Sequence, residues 1–179
     1  MLLGIDEIHK RIHEGKLLEN LSERELTNPE GAGIDLRLGK VFRLSGKGFL
    51  GVTERDTPNS ELVAEYVEGK TNSFELAPGE YVLTETVETF SMPSDLLAIL
   101  KPRTTLQRSG IIARMSVVDP GYNGAVHPSL YNAGKETITI EMVARYLNAM
   151  FLAVKGMTKR YRGQWQGGRV TTEEKETQI

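Results

Sequence analysis

The sequence contains no cysteine. That absence excludes disulfides, thiolate catalysis and cysteine-ligated zinc. Zinc-dependent nucleobase deaminases hold their metal through a Pro-Cys-x-x-Cys element, so any deamination by this chain would have to proceed without that centre. A basic excess is also lacking. With 22 Lys and Arg against 24 Asp and Glu, the formal net charge of -2 argues against a general nucleic-acid binder. The stretch from Met1 to Gly15 holds no long apolar run, so neither a signal peptide nor a membrane span is read there, and a cytoplasmic location is expected. No internal repeat is found.

The 179 residues, 39% of them hydrophobic, suffice for one substantial core. A short amphipathic helix opens the chain: Asp6 is the expected N-cap, Ile5, Ile8 and Ile12 share a face, and Gly15 stands where the helix should stop. Short segments rich in β-formers follow, at Ile34–Leu38, Val41–Leu44, Phe74–Leu76, Tyr81–Thr86, Leu97–Leu100 and Ile111–Val118. Turn signals at Ala77-Pro78-Gly79-Glu80 and Asp119–Gly124 separate them. Short strands at this spacing point to a mainly β sandwich or barrel. Residues 45–72 read as a surface excursion, and 169–179 as a disordered tail.

Two segments carry the chemistry. Arg103-Thr104-Thr105-Leu106-Gln107-Arg108 offers two guanidiniums and two hydroxyls, and Asp119-Pro120-Gly121-Tyr122 offers an acid and an aromatic ring. Together they suit a nucleoside triphosphate, with cations for phosphate and a ring beside sugar or base. Each segment alone could equally be a capped helical turn or ordinary hairpin chemistry.

In order with Gly33-Ile34-Asp35-Leu36-Arg37-Leu38-Gly39, Tyr131-Asn132-Ala133-Gly134 and Arg160-Tyr161-Arg162-Gly163-Gln164, these segments make the chain resemble the dCTP deaminase and dUTP diphosphatase (dUTPase) family. The resemblance runs to about Gly168. It implies a single domain over 1–168, a distorted jelly-roll-like β-barrel of the dUTPase type with a short N-terminal helix and one short helix at the phosphate site. It also implies a homotrimer with sites between subunits, and Mg2+ bound mainly through the substrate phosphates, with no metal ligands of the chain's own.

Residue by residue, the resemblance implies that Arg103, Thr104, Thr105 and Arg108 hold the triphosphate, the threonines replacing two serines. Asp119 lies at the deoxyribose 3'-hydroxyl and activates water, and Tyr122 packs on the sugar. The expected catalytic residues are Asp119 and Arg108. Asn148 stands for a nucleotide-contacting glutamine one methylene longer, or is a surface amide. Arg160, Tyr161 and Gln164 match a C-terminal stretch, here 156–168, that folds over the substrate as a flap. Asp35 and Arg37 fall on one strand face and are read as structural, as an ion pair with each other or at a subunit boundary.

Two departures bear on the reaction. The family's deaminases carry a glutamate where this chain has Ser129, and a serine without a partner is a poor general base near neutral pH. His127, two residues earlier and separated by Pro128, is read as structural. The interval from Arg108 to Asp119 is two residues shorter than the deaminase pattern. The leading expectation is therefore hydrolysis of dUTP to dUMP and pyrophosphate. The alternatives are deamination of dCTP to dUTP and ammonia, and a noncatalytic nucleotide-binding relative.

Overall fold

The computed structural model describes residues 1–178. Along the chain the elements are α1 (Ile5–Gly15), β1 (Leu18–Glu19), α2 (Glu23–Thr27), β2 (Ile34–Ser45), β3 (Phe49–Leu50), β4 (Glu54–Asp56), β5 (Asn59–Glu65), β6 (Ser73–Leu76), β7 (Tyr81–Thr86) and β8 (Thr89–Ser91). They continue with β9 (Leu96–Pro102), α3 (Thr104–Arg108), β10 (Ile111–Arg114), β11 (Asn123–Ala125), β12 (Ser129–Asn132), β13 (Ile138–Glu141), β14 (Arg145–Ala153) and β15 (Glu176–Thr177).

The main sheet is antiparallel in the order β10-β12-β7-β2-β14-β9, with β5 also pairing β2. A bridge between Ala98 of β9 and Val118, beyond β10, brings the two edges together and nearly closes a barrel. Alternation decides which side chains fill it. On β7, Val82, Thr84 and Thr86 are buried while Tyr81, Leu83 and Glu85 face outward. Ile34, Leu36 and Leu38 of β2 meet Leu147, Ala149 and Phe151 of β14 in the interior, all fully buried. Each large aliphatic side chain contributes about 1.5–3 kcal/mol through that burial. The inward hydroxyl of Thr84 does not stay unpaired, since it donates to the Pro128 carbonyl at 2.9 Å.

The expected β-barrel with a short N-terminal helix is what the chain forms, and the second short helix, expected after Thr104, begins at Thr104 itself. Several local readings differ. The α1 N-cap is Gly4, and Asp6 instead lies in the first turn beside Glu7, where its charge favours the helix dipole. Lys16, in the left-handed conformation, ends that helix rather than Gly15. Ile34–Leu38 and Val41–Leu44 are one strand, because Gly39 is absorbed in a register shift between Leu38 and Lys40. Regular pairing after Ile111 stops at Arg114.

The excursion at 45–72 contains β5, whose residues pair with the outer stretch of β2 from Lys40 to Ser45. The segment 169–179, expected as a disordered tail, also differs; Ile179 lies outside the described residues, and the rest docks on the excursion. β15 pairs with β4, and Thr172, 4% exposed, exchanges hydrogen bonds with Thr57 through both backbone amides, at 2.8 and 3.0 Å. The physical reason is that β4 offers an unpaired strand edge, which a polar segment satisfies without burying apolar surface.

Candidate active site

The expected nucleotide residues fall into two groups. The first surrounds Asp35, which is 3% exposed on β2. Arg103, immediately before α3, donates from its guanidinium to Asp35 Oδ2, and Arg145 of β14 donates to the same oxygen at 2.9 Å. Asn148 Nδ2 donates to Oδ1 at 2.9 Å, and Arg24 stands 3.5 Å away. Burial works against the Asp35 charge, but the Asn148 hydrogen bond and the guanidiniums of Arg103 and Arg145 outweigh it, holding the carboxyl below its ordinary value. Gly33 permits this closeness, since a Cβ there would lie 2.4 Å from Asn148 Oδ1.

Arg103 is thus fixed at the start of α3, with its backbone amide bonded to the Tyr146 carbonyl at 2.8 Å. Thr104, Thr105 and Arg108 are exposed on the same short helix. Asp35 and Arg37 do not pair with each other. Arg37 turns to buried Glu88, donating from Nε at 2.7 Å and from its backbone amide at 2.8 Å. Burial pushes the Glu88 carboxyl above its ordinary value despite that partner.

The second group lines a cavity of about 550 Å³ between the outer face of β7, the turn at Ser116–Tyr122 and the C-terminal stretch. Asp119, Tyr122 and Tyr161 line it, joined by His127, Trp165 and Arg169. Tyr122 is buried, its hydroxyl donates to the Ala125 carbonyl, and burial pushes the phenol up to about 12. The Tyr161 ring meets it edge-on, with centroids 5.6 Å apart.

Backbone contacts lay the C-terminal stretch over the turn. Tyr161 N–H donates to the Pro120 carbonyl at 2.7 Å, and Gly167 N–H to the Asn123 carbonyl at 2.8 Å. Gly124, at φ +131°, makes room, for a Cβ there would sit 2.5 Å from the Gly168 nitrogen. Arg160 is exposed and packs across Gly121. Gln164 points elsewhere, into a second cleft with Phe49, Arg55 and Trp165, its amide buried without a hydrogen-bond partner.

Arg103, Thr104, Thr105 and Arg108 lie outside the 550 Å³ cavity. One chain therefore brings together the acid and the aromatics but does not place the arginines expected to bind phosphate among the residues of that cavity. Ser129 is buried on β12, opposite Leu83 and Arg114. Among the described residues no cluster of three His, Asp or Glu side chains is disposed to hold a metal ion. No described helix is long and apolar enough to cross a membrane.

Sequence reading missed Glu85 and Lys40, which complete a row with His127. Glu85 Oε2 lies 2.9 Å from His127 Nε2, and Lys40 Nζ 3.0 Å from Glu85 Oε1. Burial disfavours the Glu85 charge, yet His127 and Lys40 hold its carboxyl below the ordinary value. No local signal joins these three residues; only the pairing of their strands does.

A barrel of this topology, with a nucleoside-sized cavity over an Asp-Pro-Gly-Tyr turn and a separate arginine helix, matches known proteins. The family model described as dCTP deaminase-like matches residues 2–151, and the chain belongs to that family. A dCTP deaminase of Pyrococcus abyssi is 33% identical over 170 residues, covering 94% of this chain and 95% of its own. A "dCTP deaminase, dUMP-forming" of Dictyoglomus thermophilum is 34% identical over 146 residues, covering 78% and 74%. A "Probable deoxyuridine 5'-triphosphate nucleotidohydrolase" of Methanothermobacter thermautotrophicus is 32% identical over 142 residues, covering 79% and 89%.

Among solved structures, the dCTP deaminase of Agrobacterium tumefaciens superposes with a TM-score of 0.64 at 17% identity, over 84% of this chain and 46% of that one. The dUTPase of phage phi11 of S. aureus gives 0.51 at 12% identity, over 81% and 94%. Both likenesses are of fold. The relatives carry enzyme names for both reactions, so the residues must choose between them.

Proposed function

We propose that this protein hydrolyses dUTP to dUMP and pyrophosphate, at sites built between the subunits of a homotrimer. The observation that carries the reading is the buried Ser129 at the position of the deaminases' glutamate. A hydroxyl among packed strands is a poor proton acceptor near neutral pH, whereas phosphoester hydrolysis needs chiefly charge neutralisation and positioning. Those parts are present in the chain.

Asp119 and Tyr122 would hold the deoxyribose in the 550 Å³ cavity. The water oxygen bonds to the α-phosphorus, the bond to the bridging oxygen breaks, pyrophosphate leaves, and the water proton passes to the Asp119 carboxylate. Arg103 and Arg108, with the Thr104 and Thr105 hydroxyls, would bind the phosphate oxygens from a neighbouring subunit. That none of them lines the cavity of their own chain supports that division. Tyr161 and Arg160 close over the nucleoside, while Asn148, bonded to Asp35, supports the arginines instead of touching the base.

Mg2+ would be carried by the phosphates of the substrate, which Arg103, Arg108 and the Thr104 and Thr105 hydroxyls would hold. It would neutralise phosphate charge when bound. Incubation of the purified protein with Mg2+ and either dUTP or dCTP tests the proposal. The expected products are dUMP and pyrophosphate from the first and no ammonia from the second; ammonia from dCTP with no dUTP hydrolysis would sink it.

A second reading, deamination of dCTP, draws support from the His127–Glu85 contact, since an imidazole braced by a carboxylate could take the place of the missing base.

A further inference from the structure

We infer that His127 reads the base of the bound nucleotide, its Nδ1 accepting the N3–H of uracil, a hydrogen that cytosine lacks. This rests on the reading that the cavity beside Asp119 and Tyr122 takes the nucleoside of the substrate.

The first support is the tautomer. A carboxylate only accepts, so the 2.9 Å contact between His127 Nε2 and Glu85 Oε2 requires the proton on Nε2. A neutral ring held this way keeps its lone pair on Nδ1. Glu85 stays an acceptor because Lys40 stands 3.0 Å from its other oxygen.

The second support is rigidity. Lys40 and Glu85 are ladder partners, and the pairing of Ser129 with Leu83 sets His127 opposite Glu85. Thr84 N–H and Thr86 N–H donate to the Pro128 and Val126 carbonyls at 2.8 and 3.2 Å, so the backbone on both sides of His127 is clamped to β7. Phe42 flanks the imidazole, with ring centroids 6.3 Å apart. A group that discriminates between ligands must not be able to turn away, and this ring is held on several sides.

The third support is the wall around it. Leu83, Val118, Val126 and Pro128 line the same cavity, and the His127 side chain is 11% exposed. In such surroundings a mismatched polar pair is not rescued by water. Uracil presents a donor at ring position 3 and cytosine a lone pair, so a fixed acceptor favours one and opposes the other. This explains why the chain can place a histidine here: it refuses dCTP by binding, in keeping with having no base to process it.

The test uses Trp165, the only tryptophan of the chain, which lines the cavity and reports occupancy by its fluorescence. The intact protein is titrated with α,β-imido analogues of dUTP and dCTP, whose α,β bridge resists hydrolysis, and ammonia release is followed alongside binding. Wild type is expected to prefer the uracil analogue by on the order of 10- to 100-fold, the range for a buried polar group left unpaired. His127→Ala should bring the two affinities within about threefold, chiefly by weakening the uracil analogue, and Glu85→Gln should lower the ratio part of the way. His127→Asn, which keeps an acceptor, should retain more of the preference than His127→Ala. In turnover, the same loss should enter KM for dUTP more than kcat.

Equal binding of both analogues by wild type, or an undiminished preference in a folded His127→Ala variant, overturns the inference. An equal loss for both analogues would make His127 merely structural and also overturn it. Ammonia release from dCTP by wild type, abolished in His127→Ala, would make the imidazole a proton acceptor instead. If wild type binds the uracil analogue selectively through His127 but hydrolyses nothing, the proposed reaction fails and the base-reading role stands. If neither analogue binds, both fall.

Discussion

The two groups of expected nucleotide residues, one around Asp35 and one around Asp119, are held by different forces. Around Asp35 the work is done by charge: Arg103, Arg145 and Arg24 converge on one buried carboxylate, and Asn148 completes its hydrogen bonds. Around Asp119 it is done by backbone, through the turn, the glycines that permit close approach and the C-terminal stretch bonded across them. The first arrangement orients long cationic side chains that would otherwise sample many rotamers. The second shapes a surface that a flat ring and a sugar can fill. On the proposed reading, directed charge would serve a triphosphate and shape a nucleoside, so each group would use the force suited to its part of the ligand.

The contrast breaks most severely at its charged centre. Asp35→Ala should destabilise the fold by about 3 kcal/mol, read as a lower denaturant midpoint. That is the lower end for an orphaned buried charge, because Arg103 and Arg145 are 36% and 37% exposed and can turn to water. The cavity beside Asp119 should keep its shape, so the tryptophan signal of the folded variant should remain near wild type.

Arg103→Ala and Arg108→Ala sharpen the comparison within the first group. Each should weaken triphosphate binding by about 1.5–3 kcal/mol in calorimetric titration. Arg108, exposed on α3, should change stability by less than ~0.5 kcal/mol, whereas Arg103 takes a partner from Asp35 and should cost more. Unchanged affinity in both variants would mean that the phosphate site lies elsewhere.

On the other side, Gly124→Ala should cost about 1–3 kcal/mol through its positive φ and should push Gly168 away. Proteolysis within residues 158–178 should rise, with no change in the ion pairs of Asp35. Resistance equal to wild type would show that the C-terminal stretch is not held by this contact.

Acid separates the groups more gently. The folded Asp35 carboxyl lies below its ordinary value near 3.8, so its contribution is fully present above that value and lost as pH falls through the lower folded one. Denaturation below about pH 4 should therefore be less steep in Asp35→Asn than in wild type. An identical acid profile would mean that the cluster adds nothing to stability. The smallest effect concerns Ser129→Ala, which should leave dUTP hydrolysis unchanged within about twofold if no proton transfer uses that hydroxyl; a 10²-fold loss would restore it to the mechanism.

Much of this frame is legible in the residues. Tyr81–Thr86 alternates cleanly and forms β7 with those bounds, and the motif order led to the family that the comparisons establish. Legibility fails where partners are distant. β5 is a half-exposed strand with Leu62 facing water, so its composition resembles loop until Ser45 and Phe42 of β2 are set beside it. The Asp35 hub joins residues separated by as many as 113 positions, and the spacing of Asp35 and Arg37 suggested a pair that the fold does not make. His127 looked solitary because Glu85 lies 42 positions earlier. Local pattern encodes which face a residue takes; only register encodes whom it meets.

The docking of Thr172 on Thr57 has a consequence for the covering of the turn. The chain between the end of β14 and Thr172, residues 154–171, is a loop fixed at both ends, so the entropy of closing it is lost during folding, before any nucleotide arrives. A free arm would have to lose that entropy at every binding event. Here, uncovering the turn requires either slack within the loop or release of the threonine clasp, whose two residues lie 115 positions apart. The ease with which the turn is uncovered is thereby coupled to the excursion at residues 45–72, whose Thr57 and Pro58 line the same cavity.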